Sequence, residues 1–332
     1  MLFTTTLMSG VMITISSNSW LGAWMGLEIN LLSFIPIMSS SNNNYTNESS
    51  LKYFLIQALA SSVLLFLIMF TMMSSDLLLS DNLTLNMILS TPILMKSGAA
   101  PFHWWFPSVM EGLNWMNCFI LMTIQKVAPL ILISYLISMS WFFIMIIIAS
   151  NIMGSIGGFN QTSIRKIMTY SSINHIGWMI ASMLLGENLW LTYFMIYSTL
   201  TMSIICIINP FQTSFINQTF TMDNDMPVKK FMLFTSLLSL GGLPPFLGFL
   251  PKWMVITMMV KSSMTLLVTI MVVSSLITLY YYLRMSYSSF IILHSEPSWN
   301  YKTYKNKTAL TIMLSSMSMM GLMVMTLLNS AY

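Results

Sequence analysis

The chain has 332 residues, of which 56% are hydrophobic and only 7% charged, with a net charge of +4. Soluble domains carry roughly 25% charged residues, so the composition excludes a water-soluble globular protein and describes one that is apolar almost from end to end. Two cysteines, Cys118 and Cys206, lie within apolar segments and supply neither a disulfide framework nor a CxxC pair. The three histidines are dispersed, and the chain contains no GxGxxG, no GxxxxGK[ST] and no HExxH. No nucleotide, haem, iron–sulfur or zinc site is therefore expected on this chain, and no nucleic-acid partner.

A membrane-crossing helix needs about 20 apolar residues. Eleven stretches meet that need: 2–20, 21–41, 51–72, 84–109, 117–137, 139–159, 167–185, 188–209, 228–260, 262–285 and 309–329. The first has no basic leader region and reads as a retained helix. It joins the second tightly at Ser19-Trp20-Leu21-Gly22. The fourth and ninth exceed one span and contain prolines. No polar stretch is long enough for a soluble domain.

With eleven spans, alternate loops share a side of the membrane. One set holds Lys52, Arg165, Lys166, Lys229, Lys230, Arg284, Lys302, Lys305 and Lys307; the other holds only Lys261, with Asp76, Asp81 and Glu187. The positive-inside rule then places the N-terminus on the positive side and the C-terminus on the opposite one.

The chain also repeats itself. Pro101-Phe102-His103-Trp104-Trp105-Phe106-Pro107 parallels Pro245-Phe246-Leu247-Gly248-Phe249-Leu250-Pro251, and each follows a glycine-containing approach, Ser97-Gly98-Ala99-Ala100 and Gly241-Gly242-Leu243-Pro244. These segments fall in the fourth and ninth spans, the fourth members of two consecutive five-helix sets. An odd number of spans inverts the next set. The expected architecture is an all-α polytopic membrane protein with two inverted five-helix repeats, about 1–138 and about 139–288, broken at helices 4 and 9, followed by a terminal loop and helix over 289–332. Paired Gly/Pro-interrupted spans of this kind point to a transporter whose site lies near the midplane.

Four ionisable residues, Glu28, Lys96, Lys126 and Lys252, sit inside apolar stretches. Left uncompensated in the bilayer centre they would cost roughly 10 kcal/mol together, so they must be paired, hydrated or used. Lys96 precedes the first break and Lys252 follows the second. A broken helix exposes backbone groups that can solvate an ammonium. Lys126, in Gln125-Lys126-Val127-Ala128-Pro129, is too deep to reach either interface. Glu28 is the natural counter-ion of Lys96. Ser171, Asn174, His175 and Trp178 share one face of helix seven and suit a water file; His175, titratable near neutrality, would bridge the lysines of the two repeats. His103, within the first break, is a tentative further member, and His294 lies in a loop. Each has a structural alternative: a snorkelling lysine, a satisfied core histidine, an ion pair serving assembly alone.

The segments Asn18–Leu32, Lys96–Pro107, Ser171–Trp178 and Leu240–Trp253 resemble the subunit 2 family of mitochondrial NADH:ubiquinone oxidoreductase, respiratory complex I, in its insect form. The resemblance spans essentially the whole chain, apart from the loop near 76–81 and the tail after 290. It implies an antiporter-like fold of two inverted five-helix repeats. It implies a Glu28–Lys96 pair, a central Lys126 and a distal Lys252. It further implies the mitochondrial inner membrane, with the positive loops and N-terminus in the matrix and the C-terminus in the intermembrane space. The other membrane-arm subunits would be obligate partners, lipids would surround the chain, and NADH, FMN, iron–sulfur clusters and ubiquinone would sit on other subunits. The expected function is proton translocation coupled to NADH-to-ubiquinone electron transfer, through Lys96, Lys126, His175 and Lys252 with intervening water. A standalone cation/proton antiporter and a purely structural scaffold are the alternatives.

Overall fold

The computed structural model describes residues 1–40, 43–74, 82–220, 227–287, 313 and 315–319. Asp76, Asp81, His294, Lys302, Lys305 and Lys307 lie outside the described residues. So does the 309–329 stretch, apart from 313 and 315–319, which are helical. The chain divides into two compact units, Met1–Ser150 and Asn151–Tyr332.

The described residues are helical, apart from turns and one isolated antiparallel bridge between Ser163 and Phe215. The helices are α1 (Leu2–Ser16), α2 (Trp20–Met38), α3 (Asn44–Ser74), α4 (Asn82–Ser97), α5 (Trp105–Gly112), α6 (Trp115–Met122), α7 (Ile124–Leu136), α8 (Trp141–Phe159), α9 (Ile164–Met183), α10 (Glu187–Ile208), α11 (Ile216–Phe220), α12 (Pro227–Gly241), α13 (Phe249–Lys261) and α14 (Thr265–Tyr287). Among the described residues, six stretches are long and apolar enough to cross a membrane: Trp20–Met38, Asn44–Met73, Trp115–Leu136, Trp141–Phe159, Glu187–Ile208 and Thr265–Tyr287. The chain is a multi-pass membrane protein. Four of the remaining expected spans fall short of the same measure for local reasons, and the fifth, 309–329, lies mostly outside the described residues. α1 has 15 residues. α9 carries a run of polar side chains. The fourth and ninth stretches are each cut into two pieces shorter than a span.

In the first unit α1 and α2 pack closely enough that a Cβ on Gly26 would lie 2.8 Å from the backbone nitrogen of Thr14. Small residues let membrane helices approach in this way. α3 starts earlier than the hydrophobic run, at Asn44, and its 31 residues make a rod about 46 Å long. The hydrocarbon core is ~30 Å thick. The polar first turns fall in the excess length, and there Lys52 pairs with Glu48 at 2.6 Å across one helical turn. Phe34, Leu64, Phe106 and Trp115 form the buried centre of this unit.

The fifth expected span is interrupted. Thr123, at φ −116° and ψ −77°, separates α6 from α7. Its hydroxyl bonds the carbonyl of Phe119 at 2.7 Å, and the Lys126 amide turns back to the Thr123 carbonyl at 3.0 Å. Pro129 follows inside α7, where its ring presses on the carbonyl four residues back and it donates no hydrogen bond. Lys126 thus sits in the first turn of a short helix.

In the second unit α9 is the central element. Residues 171–183 are buried without interruption, so the helix is enclosed on every side and has no single polar face. The stripe expected from Ser171, Asn174, His175 and Trp178 is shared among different neighbours. Asn174 lies against Gly154 of α8, and His175 faces Tyr193 of α10. Helical spacing marks residues that share a face, but it cannot show that every other face is covered too.

Candidate functional site

Both Gly/Pro segments break their helices in the same way. α4 ends at Ser97, and Gly98 adopts φ +77°. Its amide returns to the Leu94 carbonyl at 3.1 Å, as does that of Ala99 at 3.2 Å. α12 ends at Gly241, and Gly242 adopts φ +86°, its amide bonding the carbonyls of Leu238 at 3.2 Å and Ser239 at 3.0 Å. A left-handed residue after the last helical turn is the common way to close a helix, and glycine adopts it without strain. The second halves, α5 and α13, restart at Trp105 and Phe249, each four residues beyond the shared proline, Pro101 or Pro245.

The first break places Lys96 in the last turn of α4. Lys96 is 7% exposed and Lys126 only 2%. Both line one cavity of about 20 Å³ in the first unit, with Asn30, Tyr53, Gln57 and Gln125. That volume exceeds the ~10–15 Å³ needed to hold one water. The Nζ of Lys96 is enclosed, with no hydrogen-bond partner among the described residues. The Nζ of Lys126 lies 4.8 Å from the centre of the Phe106 ring, within cation–π range. The neutral groups form a chain along the cavity. Tyr53 Oη donates to Gln125 Oε1 at 3.2 Å, and Gln125 Nε2 donates to Asn30 Oδ1 at 2.9 Å. Gln57 Nε2 reaches the Lys96 carbonyl at 3.4 Å, and Trp105 Nε1 donates to the Met95 carbonyl at 3.1 Å. The end of α4 is therefore stopped by neutral donors.

Glu28 lies half-buried on α2. Among the described residues no ion pair within 4 Å joins it to Lys96. His103 is buried and stacked on Trp104, with ring centres 4.9 Å apart, and does not line the lysine cavity.

The second break uses its lysine differently. Lys252, 5% exposed and in the first turn of α13, donates from Nζ to the Gly241 carbonyl at 2.8 Å. The C-terminal carbonyls of a helix carry partial negative charge, so an ammonium stops α12 where neutral groups stop α4. His175 Nδ1 and Tyr193 Oη are 2.8 Å apart, and the His175 ring lies 5.1 Å from that of Tyr197. His175 and Lys252 stand on neighbouring helices, α9 and α13.

The first unit thus brings Lys96 and Lys126 together, with Glu28 nearby, and the second holds His175 and Lys252. The sequence reading missed Asn30, Tyr53, Gln57 and Tyr193. The signal for two of them was present: Tyr53 and Gln57 are polar groups four residues apart inside an apolar run, hence on one face.

Interrupted helices with lysines at the interruptions, inside a many-helix apolar chain, define a membrane protein built to keep charge within the bilayer. The chain belongs to the family described as NADH:quinone oxidoreductase/Mrp antiporter, transmembrane, whose model matches residues 17–278. It is 52% identical over 332 residues to NADH-ubiquinone oxidoreductase chain 2 of Anopheles gambiae, spanning 98% of this chain and 97% of that protein. To the protein of the same name from Aedes aegypti it is 55% identical over 326 residues, spanning 97% and 95%. Among solved structures, a chain of respiratory complex I from Thermus thermophilus with bound aureothin superposes with a TM-score of 0.82 at 21% identity, covering 96% of this chain and 78% of that one. At these levels of identity the structural likeness shows a shared fold.

Proposed function

We propose that this chain is a proton-translocating core membrane subunit of a respiratory NADH:ubiquinone oxidoreductase in the mitochondrial inner membrane. Its relatives at 52% and 55% identity bear the name of that oxidoreductase's chain 2. The observation that carries the mechanism is the pair of buried lysines, Lys96 and Lys126, opening into one water-sized cavity beneath a broken helix. An ammonium and a neutral amine on opposite sides of one water can exchange a proton through it. The route we propose runs Lys96, Lys126, His175, Lys252 through intervening water, with Glu28 setting the charge balance at Lys96. A neighbouring subunit that shifts the field at Glu28 would then drive the sequence. His103 is proposed as a member of the entry region only.

In this reading the chain crosses the membrane eleven times as two inverted five-helix repeats, about 1–138 and about 139–288, with the N-terminus in the matrix and the C-terminus in the intermembrane space. The matching glycine closures at Gly98 and Gly242 support the repeat. The other membrane-arm subunits are its partners. NADH, FMN, iron–sulfur clusters and ubiquinone belong to other subunits, and this chain contributes no redox group.

Replacing Lys126 by Met tests the function. The variant keeps an unbranched side chain of similar length beside Phe106 but loses the amine and its exchangeable proton. The assembled complex should reduce quinone more slowly and move fewer protons per electron, measured in inverted membrane vesicles. Full proton stoichiometry in the assembled variant would refute the relay and favour a scaffold. Protease protection of tags on the two termini tests the orientation.

A further inference from the structure

Away from the lysines, the second unit carries a groove between α8 and α14. We propose that it is a binding site for an anionic phospholipid, with an acyl chain in the groove and the phosphate at Arg284. The inference rests on the membrane embedding of these two helices and is independent of the proton route.

The groove measures about 390 Å³ and is lined by Ile152, Ser155 and Ile156 of α8 and by Ile270, Val273 and Ile277 of α14, with Thr269 and Ser274 beside them. That volume is in the range of small-ligand sites, ~300–1,000 Å³. Its hydroxyls are already used: Ser155 donates to the Ile152 carbonyl at 2.9 Å, Ser274 to Met271 at 2.8 Å and Thr269 to Leu266 at 2.8 Å. Ser155 and Ser274 are buried, while Ile156 and Val273 are exposed at 60% and 59%. The floor is therefore small and internally satisfied, and the rim is branched and apolar. A polar ligand would find no free hydroxyl donor along it. A transmembrane helix packs best where both surfaces are lined by small residues, and this rim is isoleucine and valine. A flexible hydrocarbon chain needs neither hydrogen bonds nor a flat small-residue face.

One end of the groove is charged. Arg284 lies seven residues beyond Ile277, two turns along the same face of α14. It is exposed, and its Nη2 donates to the Phe159 carbonyl at the end of α8, 3.1 Å away. That bond uses one of five guanidinium N–H donors. Phe159 and Tyr280 stack at 5.5 Å beside it, aromatic groups of the kind that mark a headgroup level. Arg165 and Lys166 follow in the first turn of α9, just after α8 ends. An apolar groove with a guanidinium two helical turns beyond its last lining residue, next to further basic residues, complements a lipid whose headgroup is negative.

The test uses the intact respiratory complex that carries this chain, purified into nanodiscs with phosphatidylglycerol or phosphatidylcholine bearing a photoreactive diazirine in the acyl chain. Labelled peptides are mapped by mass spectrometry. The anionic probe should label residues 152–156 and 269–277, and excess unlabelled phosphatidylcholine should not displace it. R284Q should lower that labelling about five-fold, the weight of one basic residue at an anionic surface, and R284K should retain most of it. Equal labelling by both headgroups, or unchanged labelling in R284Q, would overturn the proposal. No labelling in the unaltered complex would mean that a neighbouring subunit covers the groove, and would overturn it equally.

Discussion

The two left-handed glycines are matched in backbone but not in surroundings, and this yields a quantitative contrast. An alanine at φ near +80° costs roughly 1–2 kcal/mol at either position. At Gly98 the added Cβ would meet nothing closer than 3.5 Å, so the cost stops there. At Gly242 it would lie 3.0 Å from Lys252 Nζ and 3.1 Å from Lys252 Cδ. The amine must give by a few tenths of an ångström, which strains its 2.8 Å bond to Gly241, worth at most about 1.5–3 kcal/mol when charge-assisted. G242A should therefore destabilise the second break by up to about 1.5–3 kcal/mol more than G98A destabilises the first. The assay is the thermal melting of the solubilised complex, followed by fluorescence, with native-gel abundance as control. In a K252A background, which removes every contacted atom of Lys252, the extra cost should vanish, leaving G242A equal to G98A. Equal effects of the two alanines in the unaltered chain would refute the claim that Lys252 is held by the end of α12. So would an extra cost that survives K252A.

Other substitutions probe the remaining contacts. Q125L removes the link between Tyr53 and Asn30 and strands two buried polar groups, costing about 1–3 kcal/mol; protons moved per electron should fall further than quinone reduction, as read by parallel pumping and turnover assays. Y193F removes the 2.8 Å contact to His175 at a cost of about 1 kcal/mol, and should slow turnover with little change in complex abundance on native gels. G26L forces α1 and α2 apart, because its Cβ would lie 2.8 Å from the Thr14 backbone; overpacking of about 1–3 kcal/mol should lower the amount of assembled complex seen by immunoblot.

The helices were largely legible because a bilayer imposes a simple rule on apolar runs, and the boundaries of α8, α10 and α14 lie close to those runs. The two breaks were legible because Gly98-Pro101 and Gly242-Pro245 carry the only residues that close and restart a helix cheaply. The interruption at Thr123 was not, since threonine is no breaker by itself and the break accompanies its side-chain bond to Phe119 and the nearby Pro129. Hydropathy also missed the start of α3, because it measures the solvent rather than the helix: Asn44–Ser50 is helical and polar. Lys96 and Lys126 could be marked as costly, but their common cavity depends on where α3 and α7 carry Tyr53 and Gln125. Residue type reveals which groups are expensive to bury; the partners that make burial tolerable come from elements far apart in the chain.

The different stoppers at the two breaks make only one of them sensitive to protonation. Trp105 and Gln57 hold the end of α4 with donors that do not titrate in the physiological range, so that stub keeps its length whatever the charge inside the membrane. At the end of α12 the clasp is itself a titratable amine. A charge-assisted bond is roughly twice as strong as a neutral one, so each proton that leaves Lys252 slackens the backbone it grips, and each that returns tightens it again.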